Sequence, residues 1–290
     1  MNHYQGRFAP SPTGPLHIGS LIGALASYLD AKANGGQWLL RMEDLDPPRE
    51  MPGAATAILQ CLQQHGLQWD QSVLWQHQRH SAYQQAIEQL LATGQAFYCT
   101  CSRSDSQGGI YSGHCRGRAQ KPSRPFAIRW QVPDQTIGFD DAVQGHFSQH
   151  LSQQVGDIVL KRKDGFFAYQ LAVVVDDAYQ HITHCVRGSD LLDSTPRQIG
   201  LQQALGLPAL RYCHIPVITN QQGQKLSKQT FAPAIDGANA CKNLLFALDF
   251  LQQPKPPPNS RNCVKMIIQS AITNWSTATI PKSLGMIGDT

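Results

Sequence analysis

Near the start of the chain, a proline-rich loop places a histidine at the beginning of a helix. Residues 7–19 read RFAPSPTGPLHIG, and the spacing of apolar residues predicts a helix over Ile18–Ala33. A helix N-terminus offers unpaired N–H groups and partial positive charge, which suit a phosphate. His17 and Gly19 are therefore candidate phosphate-site residues. On residue types alone, a proline-rich turn that only caps the helix is the alternative.

A second set of candidate phosphate ligands lies far downstream. Residues 225–229 read KLSKQ, at the end of a stretch rich in Gly and Gln. If this stretch is a mobile loop, Lys225 and Lys228 bring ammonium groups to the phosphates held by the first loop. A solvated surface loop is the alternative.

Carboxylates and arginines are concentrated after the second predicted strand. Residues 38–49 read WLLRMEDLDPPR, so three carboxylates and two arginines lie within nine residues. A carboxylate such as Glu43 is a suitable partner for the ammonium group of a substrate. A charged loop at the end of a strand is the alternative interpretation.

Three of the eight cysteines are clustered, at Cys99, Cys101 and Cys115. Thiolates at this spacing suit a structural, tetrahedral Zn²⁺ site, which leaves one ligand to find, His114 or Tyr111. Three reduced thiols in a surface loop are the alternative. The remaining cysteines are scattered, and a disulfide framework is not expected in a cytoplasmic protein.

These groups need a scaffold, and the alternation of short apolar strands with helices predicts a parallel sheet flanked by helices. Ligands of such α/β folds bind beyond the carboxyl ends of the strands, where residues 7–19 fall. Residues 97–123 are typical of an insertion without a large core, and we expect the last residues to be frayed. The early elements are predicted as strands Gly6–Ala9 and Trp38–Met42 and helices Gly53–His65 and Ser81–Thr93.

The overall composition is that of a soluble globular protein. The chain has 290 residues, of which 41% are hydrophobic and 15% charged. No apolar run approaches the roughly 20 residues of a membrane span, and no signal peptide is visible, so we expect a cytoplasmic protein. The net charge of +4 is compatible with an RNA partner. Basic residues within 116–124 and 161–163 either form solvated loops or contact a polyanion.

Together, the motifs resemble those of class I aminoacyl-tRNA synthetases of the glutamate type. Residues 7–19 resemble the "HIGH" motif and residues 41–46 resemble "RIEDTD". Residues 225–229 resemble "KMSKS", with Leu226 and Gln229 in place of methionine and serine. Residues 186–198, VRGSDLLDSTPRQ, resemble a segment that lines the amino-acid pocket of these enzymes.

This resemblance implies a Rossmann-like catalytic domain that uses ATP and Mg²⁺ to activate L-glutamate. It assigns glutamate binding to Arg7, Ala9, Ser11, Glu43, Tyr169 and Arg187. It assigns ATP binding to His17, Gly19, Lys225 and Lys228, with His17 and Lys228 in catalytic roles. The Cys-x-Cys…Tyr…Cys pattern of the family's zinc-bearing insertion favours Tyr111 over His114 as the fourth metal ligand.

The resemblance extends over about residues 5–250 and implies a synthetase without an anticodon-binding domain. We expect a first catalytic half (1–96), an insertion (97–156), a second catalytic half (157–236) and a short helical tail (237–290). This plan resembles the glutamyl-queuosine tRNA(Asp) synthetase family, which attaches glutamate to the queuosine base in the anticodon loop. It implies an enzyme that acts on L-glutamate, ATP and tRNA, and we expect a monomer without a membrane partner. The alternatives are a minimal glutamyl-tRNA synthetase that charges a tRNA 3′ end and a catalytically silent RNA-binding relative.

Overall fold

The chain opens with a β-α-β unit, as the alternating pattern predicts. The computed structural model describes residues 4–102, 110–226 and 233–288. In it, β1 (Gln5–Phe8) and β2 (Gln37–Met42) are joined by α1 (Ile18–Ala33) and pair in parallel. The short strand β3 (Leu74–Trp75) extends this sheet beyond β2. The predicted α/β architecture with parallel strands is confirmed.

The remaining helices and strands follow in chain order. They are α2 (Ala54–Gln64), α3 (His80–Ala92), β4 (Ala96–Cys99), β5 (Ala127–Trp130), β6 (Thr136–Asp141), β7 (Gly145–His150), α4 (Leu151–Gln154), β8 (Ile158–Lys161), α5 (Tyr169–Tyr179), β9 (His184–Gly188), α6 (Thr195–Leu205), β10 (Arg211–Ile215), β11 (Val217–Thr219), α7 (Ala240–Phe250), α8 (Val264–Asn274) and β12 (Gly285–Ile287).

A second sheet, in the order β7-β6-β10-β9, lies beside the first. β10 pairs in parallel with both β9 and β6, whereas β6 and β7 form an antiparallel hairpin. The two sheets meet where the Thr183 N–H donates to the Gln5 carbonyl oxygen at 2.9 Å. The carboxyl ends of β1, β2, β9 and β10 consequently line one cleft. This is the position that α/β folds use for ligands.

Helix α1 positions the start of this cleft because its apolar face is completely covered. Leu21, Leu25 and Leu29 are fully buried, and α1 packs against β1, β9, α7 and α8. Its length matches the predicted helix Ile18–Ala33, because the 3.6-residue period of its apolar residues is a local signal. A second core lies between α3, α5 and α6 and contains Tyr83 and Trp130.

Strands within residues 97–156 pair with strands that lie later in the chain. β4, β5 and β8 form an antiparallel sheet, while β6 pairs with β10 of the later part of the chain. The domain boundaries expected from the sequence stay predictions. No helix among the described residues is both long enough and apolar enough to cross a membrane.

The expectation of a frayed C-terminal end is wrong for its described part. Gly285–Ile287 forms β12, which pairs in parallel with β11. The Gly288 N–H also donates to the Thr219 carbonyl oxygen at 3.2 Å. The pairing satisfies backbone groups along β11 that would otherwise form an open strand edge. A three-residue strand has no periodicity that a sequence pattern could reveal.

Candidate active site

A cleft of about 1070 Å³ opens at the carboxyl ends of the parallel strands. It brings together every described residue for which the sequence predicted a role in glutamate or ATP binding. These residues are Arg7, Ala9, Ser11, His17, Gly19, Glu43, Tyr169, Arg187 and Lys225. Lys228 and Gln229 lie outside the described residues. The candidate metal ligands form a separate cluster, described below.

At the base of the cleft, two guanidinium groups share one carboxylate. Arg7 Nε lies 3.2 Å from Asp177 Oδ1 and Arg7 Nη2 lies 3.2 Å from Asp177 Oδ2, although the two residues are 170 positions apart in the chain. Arg41 Nη1 lies 2.8 Å from the same carboxylate and Arg41 Nη2 lies 3.5 Å from Glu43. All four side chains are nearly or completely buried. Asp177 thus fixes one edge of the Arg7 guanidinium and holds it at the cleft wall.

The protonation of this cluster follows from burial and from its charges. Burial would raise the pKa of Asp177, but Arg7 and Arg41 outweigh it and bring that pKa below its ordinary value. For Glu43 burial dominates and raises the pKa, although Arg41 and Arg7 oppose the shift. Arg187 adds a third guanidinium to the cleft, and no carboxylate among the described residues contacts it. The wall is therefore suited to a ligand with net negative charge.

Arg187, on β9, is held on the other side of the cleft by uncharged groups. Its Nε lies 3.0 Å from His214 Nε2 and its Nη2 lies 2.8 Å from Thr195 Oγ1. Its Nη1 lies 3.5 Å from the hydroxyl of Tyr169 at the start of α5. His214 in turn contacts Asp141, with 2.6 Å between Nδ1 and Oδ2.

The proline-rich loop delivers His17 to the N-terminus of α1. The His17 imidazole caps the helix, since its Nδ1 accepts from the Ser20 N–H at 3.3 Å. Gly19 is closely surrounded, because a Cβ atom there would lie 3.0 Å from Ile218 and 3.1 Å from the His17 ring. The loop is joined to the carboxylate segment by the Glu43 N–H, which donates to the Pro10 carbonyl oxygen at 2.9 Å.

Lys225 reaches the same cleft from the opposite side. Its Nζ lies 2.6 Å from Asp190 Oδ2, just beyond the end of β9. Its backbone forms a bridge with Thr219 at the end of β11. These two contacts fix Lys225, the first residue of the segment 225–229, at the rim of the cleft.

The three clustered cysteines meet as their spacing predicts. The sulfur atoms of Cys99, Cys101 and Cys115 lie within 4.8 Å of one another and could hold a metal ion. The Tyr111 hydroxyl lies 3.5 Å from Cys99 Sγ and 3.6 Å from Cys101 Sγ. His114 is exposed and lies outside this donor group.

Hydrogen bonds favour a thiolate at Cys115, whereas burial raises the pKa of Cys101. Burial opposes ionisation of Cys115, but hydrogen bonds from Tyr111 and from the Thr100 backbone outweigh it and lower the pKa of Cys115 to about 6. A deprotonated thiol is the form that coordinates metal ions. The three sulfurs would supply three of the four donors of a tetrahedral site.

Comparisons with known proteins agree with this geometry. The family described as "tRNA synthetases class I (E and Q), catalytic domain" matches residues 4–107 and 112–240. The chain belongs to this synthetase family. A Neisseria meningitidis protein named "Glutamyl-Q tRNA(Asp) synthetase" is 49% identical over 290 residues, which cover 96% of this chain and 98% of that protein. An Ectopseudomonas mendocina protein of the same name is 51% identical over 282 residues, which cover 97% and 96%.

Solved structures of the synthetase family superpose on the chain. A glutamate tRNA ligase from Elizabethkingia meningosepticum, in complex with its amino acid, has a TM-score of 0.80 and 27% identity. A glutamate-tRNA synthetase from Elizabethkingia anophelis has a TM-score of 0.82 and 26% identity. The alignments cover 98% and 99% of this chain but only 66% and 68% of those longer proteins. The synthetase catalytic fold is therefore shared along almost the entire chain.

The basic stretches of this synthetase-family chain have different environments. Arg116 forms two hydrogen bonds with the buried carboxylate of Asp157, at 2.7 and 2.9 Å, so it ties the insertion to the segment just before β8. In contrast, Arg118 and Arg124 both donate to the Thr100 hydroxyl and Lys163 donates to the Thr100 carbonyl oxygen. We call these three cations the Thr100 cluster. Among the described residues, no carboxylate pairs with any of them.

Several residues of this synthetase site were not found from the sequence. Asp177 contacts Arg7, His214 contacts Arg187 and Asp141 contacts His214, and none of the three belongs to a motif. A buried charge requires a partner, so two buried arginines predict buried carboxylates, but they do not say which ones. The partner of Arg7 became visible only when the fold brought α5 beside β1.

Proposed function

We propose that this protein activates L-glutamate with ATP and transfers it to the queuosine base in the anticodon loop of tRNA(Asp). The observation that carries the proposal is the identity of about 50% along nearly the full chain with proteins named glutamyl-Q tRNA(Asp) synthetase. The charge of the cleft supports the amino acid, since the Arg187 guanidinium, which no described carboxylate contacts, complements the net −1 of glutamate.

Glutamate binding uses the two sides of the cleft differently. Arg7 pairs with the side-chain carboxylate of glutamate, which a guanidinium binds in a fixed geometry. Glu43 accepts hydrogen bonds from the α-ammonium group. Arg187 and Tyr169 orient the rest of the amino acid, and Ala9 and Ser11 line the pocket between these groups.

The reaction needs positioning and charge stabilisation more than acid–base catalysis. The α-carboxylate of glutamate attacks the α-phosphorus of ATP, a new P–O bond forms, and pyrophosphate leaves. The nucleophile is already an anion, so no general base is required. His17 and the N-terminus of α1 bind the phosphates on one side, and Lys225 and Lys228 neutralise charge on the other. A hydroxyl of the RNA then attacks the acyl carbon and AMP leaves.

Mg²⁺ accompanies the phosphates of ATP in this proposal. When bound with ATP, a divalent cation would supply positive charge that stabilises the departing pyrophosphate. The phosphates supply most of its ligands, because Mg²⁺ is usually bound by substrate phosphates and few carboxylates.

Gly19→Ala tests the ATP site. The new Cβ would lie 3.0 Å from Ile218 and 3.1 Å from the His17 ring, so we expect the histidine to be displaced and KM for ATP to rise roughly tenfold, which is about 1.4 kcal/mol. Gly23→Ala is the matched control, because it lies on the same helix and the same cleft with nothing within 4 Å of its Cβ. Equal KM values for ATP in both variants would contradict this role for Gly19.

We assign Zn²⁺ to the cysteine cluster, with Tyr111 as the fourth ligand. Elemental analysis of the purified protein should find about one zinc per chain, as expected for one tetrahedral site. Cys101→Ser should lose most of this zinc, whereas the scattered Cys263→Ser should retain it. His114→Ala separates the two ligand hypotheses, since we expect it to keep the metal and Tyr111→Phe to bind it more weakly. Loss of zinc in His114→Ala alone would reverse the assignment.

The Thr100 cluster is the part of the basic surface that we propose to contact RNA. Arg124→Glu combined with Lys163→Glu should weaken transfer to tRNA about tenfold or more while glutamyl-adenylate formation is unchanged, because phosphate contacts dominate RNA affinity. The wild-type reaction should also be more sensitive to salt than the variant reaction. Lys242→Glu combined with Lys265→Glu, at two exposed positions on α7 and α8, is the control with the same charge change. A parallel loss of adenylate formation and transfer would rule out a docking role.

The decisive experiment uses ATP, labelled glutamate and two tRNA pools, one with queuosine and one without. Label that enters only the queuosine-containing pool is the expected result. Equal labelling of both pools would indicate charging of the 3′ end, as in a minimal glutamyl-tRNA synthetase. The absence of labelling and of glutamate-dependent pyrophosphate exchange would indicate a silent relative. The cytoplasmic location and the monomeric state remain predictions, the second of which size-exclusion chromatography tests.

A further inference from the structure

A buried histidine and a buried aspartate lie directly behind Arg187. His214 projects from β10 and Asp141 ends β6, and both side chains are completely buried. Asp141 accepts from the backbone N–H groups of His214, Val143 and Gln144 at 2.9–3.1 Å, besides its contact with the imidazole. These donors fix the carboxylate in one orientation. The hydrogen bond from the His214 side chain and those from the Gln144 and His214 backbones outweigh burial and lower the pKa of Asp141.

The contacts of His214 define its tautomer. Asp141 is ionised and can only accept, so the Nδ1–H of His214 donates to it at 2.6 Å. The other ring nitrogen, Nε2, then carries no hydrogen and accepts from the Arg187 Nε–H at 3.0 Å. Thr195 Oγ1 lies 3.1 Å from the same nitrogen and also accepts from Arg187 Nη2.

We propose that Asp141 and His214 are positioning residues for glutamate binding, which hold the Arg187 guanidinium at the cleft without neutralising its charge. The inference rests on the proposed function, in which Arg187 contacts glutamate. Because Arg187 Nε donates to His214 and Nη2 donates to Thr195, the orientation of the guanidinium plane is fixed on the side away from the cleft. The remaining nitrogen, Nη1, is then directed to the Tyr169 side of the cleft.

The comparison with Arg7 gives the physical reason for a histidine at this position. Asp177 binds Arg7 directly, so part of the Arg7 charge is already balanced by a carboxylate. Behind Arg187 a neutral imidazole separates the guanidinium from the Asp141 carboxylate. An interaction between charges weakens with distance, so Asp141 offsets the charge of Arg187 less than Asp177 offsets that of Arg7. Arg187 can therefore attract an anionic ligand more strongly while its orientation stays fixed.

The surroundings of His214 keep it neutral. Burial lowers its pKa, and Arg187 on β9 and the more distant Arg7 on β1 act in the same direction, while Asp141 on β6 opposes them. Its other neighbours are the rings of Tyr212 and Phe139. A protonated imidazole would point a second N–H at the Arg187 Nε–H, so the neutral form is required for the hydrogen bond.

Two substitutions at His214 separate positioning from a structural role. His214→Asn keeps a donor near Asp141 but has no acceptor at the level of Nε2. His214→Gln is longer and can place its amide oxygen near that level. We expect KM for glutamate in pyrophosphate exchange, measured with and without tRNA, to rise roughly tenfold in His214→Asn, while KM for ATP stays within about twofold. His214→Gln should recover most of the affinity for glutamate.

The opposite pattern overturns the inference. If His214→Asn and His214→Gln have the same KM for glutamate, the Asp141–His214 pair only stabilises the fold. The same conclusion follows if KM for glutamate and KM for ATP rise together. Thermal unfolding of each variant accompanies the kinetics. If His214→Asn does not fold, Asp141→Asn takes its place, and we expect the same selective rise in KM for glutamate because the tautomer is no longer fixed. An unchanged KM in a folded Asp141→Asn protein also overturns the inference.

A separate measurement distinguishes failure of this inference from failure of the proposed function. The ¹⁵N chemical shifts of histidine in the wild-type protein report which ring nitrogen carries hydrogen. We expect His214, assigned by its loss in His214→Gln, to show a protonated Nδ1 and a bare Nε2. Hydrogen on Nε2 and none on Nδ1 would overturn the inference that Asp141 and His214 position Arg187. Wild-type protein that has this tautomer but never shows glutamate-dependent exchange contradicts the function and leaves the pair in place.

Discussion

Replacing Glu43 with glutamine should lower kcat/KM for glutamate about 100-fold, or roughly 3 kcal/mol. Glu43 lies buried in the cleft between Arg41 and the predicted position of the α-ammonium group. In the complex, the substitution leaves the buried α-ammonium group of glutamate without its carboxylate partner, at a cost of about 2–5 kcal/mol. Pyrophosphate exchange at varied glutamate concentration measures the effect. Glu88→Gln, an exposed change of the same type on α3, should have no effect.

The same substitution should not weaken the fold. Burial raises the pKa of Glu43 in the folded protein. A carboxyl group with a raised pKa contributes stability below its unfolded pKa, and that contribution is lost as pH rises through the folded pKa. At neutral pH the charged Glu43 therefore costs stability, and Glu43→Gln should unfold at the same or a higher temperature. A marked fall in Tm with an unchanged KM for glutamate would refute both expectations.

Acid should weaken wild-type glutamate binding for the same reason. Because the pKa of Glu43 is raised, this carboxylate becomes protonated at a higher pH than an ordinary glutamate side chain. KM for glutamate should therefore rise on acidification before exposed carboxylates titrate. The Glu43→Gln protein should lack this part of the pH profile.

Arg7→Gln should have a still larger effect, lowering kcat/KM for glutamate about 1000-fold, or roughly 4 kcal/mol. The change removes the cation that pairs with the substrate side chain in our proposal. It also leaves two buried carboxylates, Asp177 and Glu43, with Arg41 as their remaining guanidinium partner. Arg7→Lys keeps the charge but cannot reproduce the two-nitrogen contact with Asp177, so we expect an intermediate loss.

A double variant separates the stability effect of Arg7 from its effect on binding. Adding Asp177→Asn to Arg7→Gln leaves one guanidinium, on Arg41, and one carboxylate, on Glu43, so their charges balance again. We expect the double variant to regain much of the lost thermal stability, because an uncompensated buried charge has been removed. It should not regain activity. Recovery of glutamate activation would mean that Arg7 acts only through Asp177.

Local signals in the sequence predicted the first part of the active site well. The start and end of α1 follow from apolar residues at helical spacing and from the prolines and glycines of residues 7–19. The alternating elements predicted the parallel strands and the strand ends as the ligand position. The short spacing of Cys99, Cys101 and Cys115 predicted that their sulfurs could meet. Such patterns are readable because the interacting residues are close in the chain.

The tertiary structure corrected the interpretation of the basic residues. Arg116 and Arg118 belong to the same stretch of sequence, yet Arg116 is bound to Asp157 and Arg118 belongs to the Thr100 cluster. Charge patterns in sequence show how many cations a segment has. They do not show which cations are compensated, because a carboxylate 41 residues away decides it for Arg116.

The sequence by itself determined the β-α-β start, the family to which the motifs belong and the residue types that face the ligands. Only the tertiary structure decided what holds those residues in place. Asp177 reaches Arg7 across 170 residues, and the Asp141–His214 pair reaches Arg187 from two other strands. The short strand β12 joins β11 from the far end of the chain. These contacts depend on which strands become neighbours and in which register, and that information is distributed over the whole core.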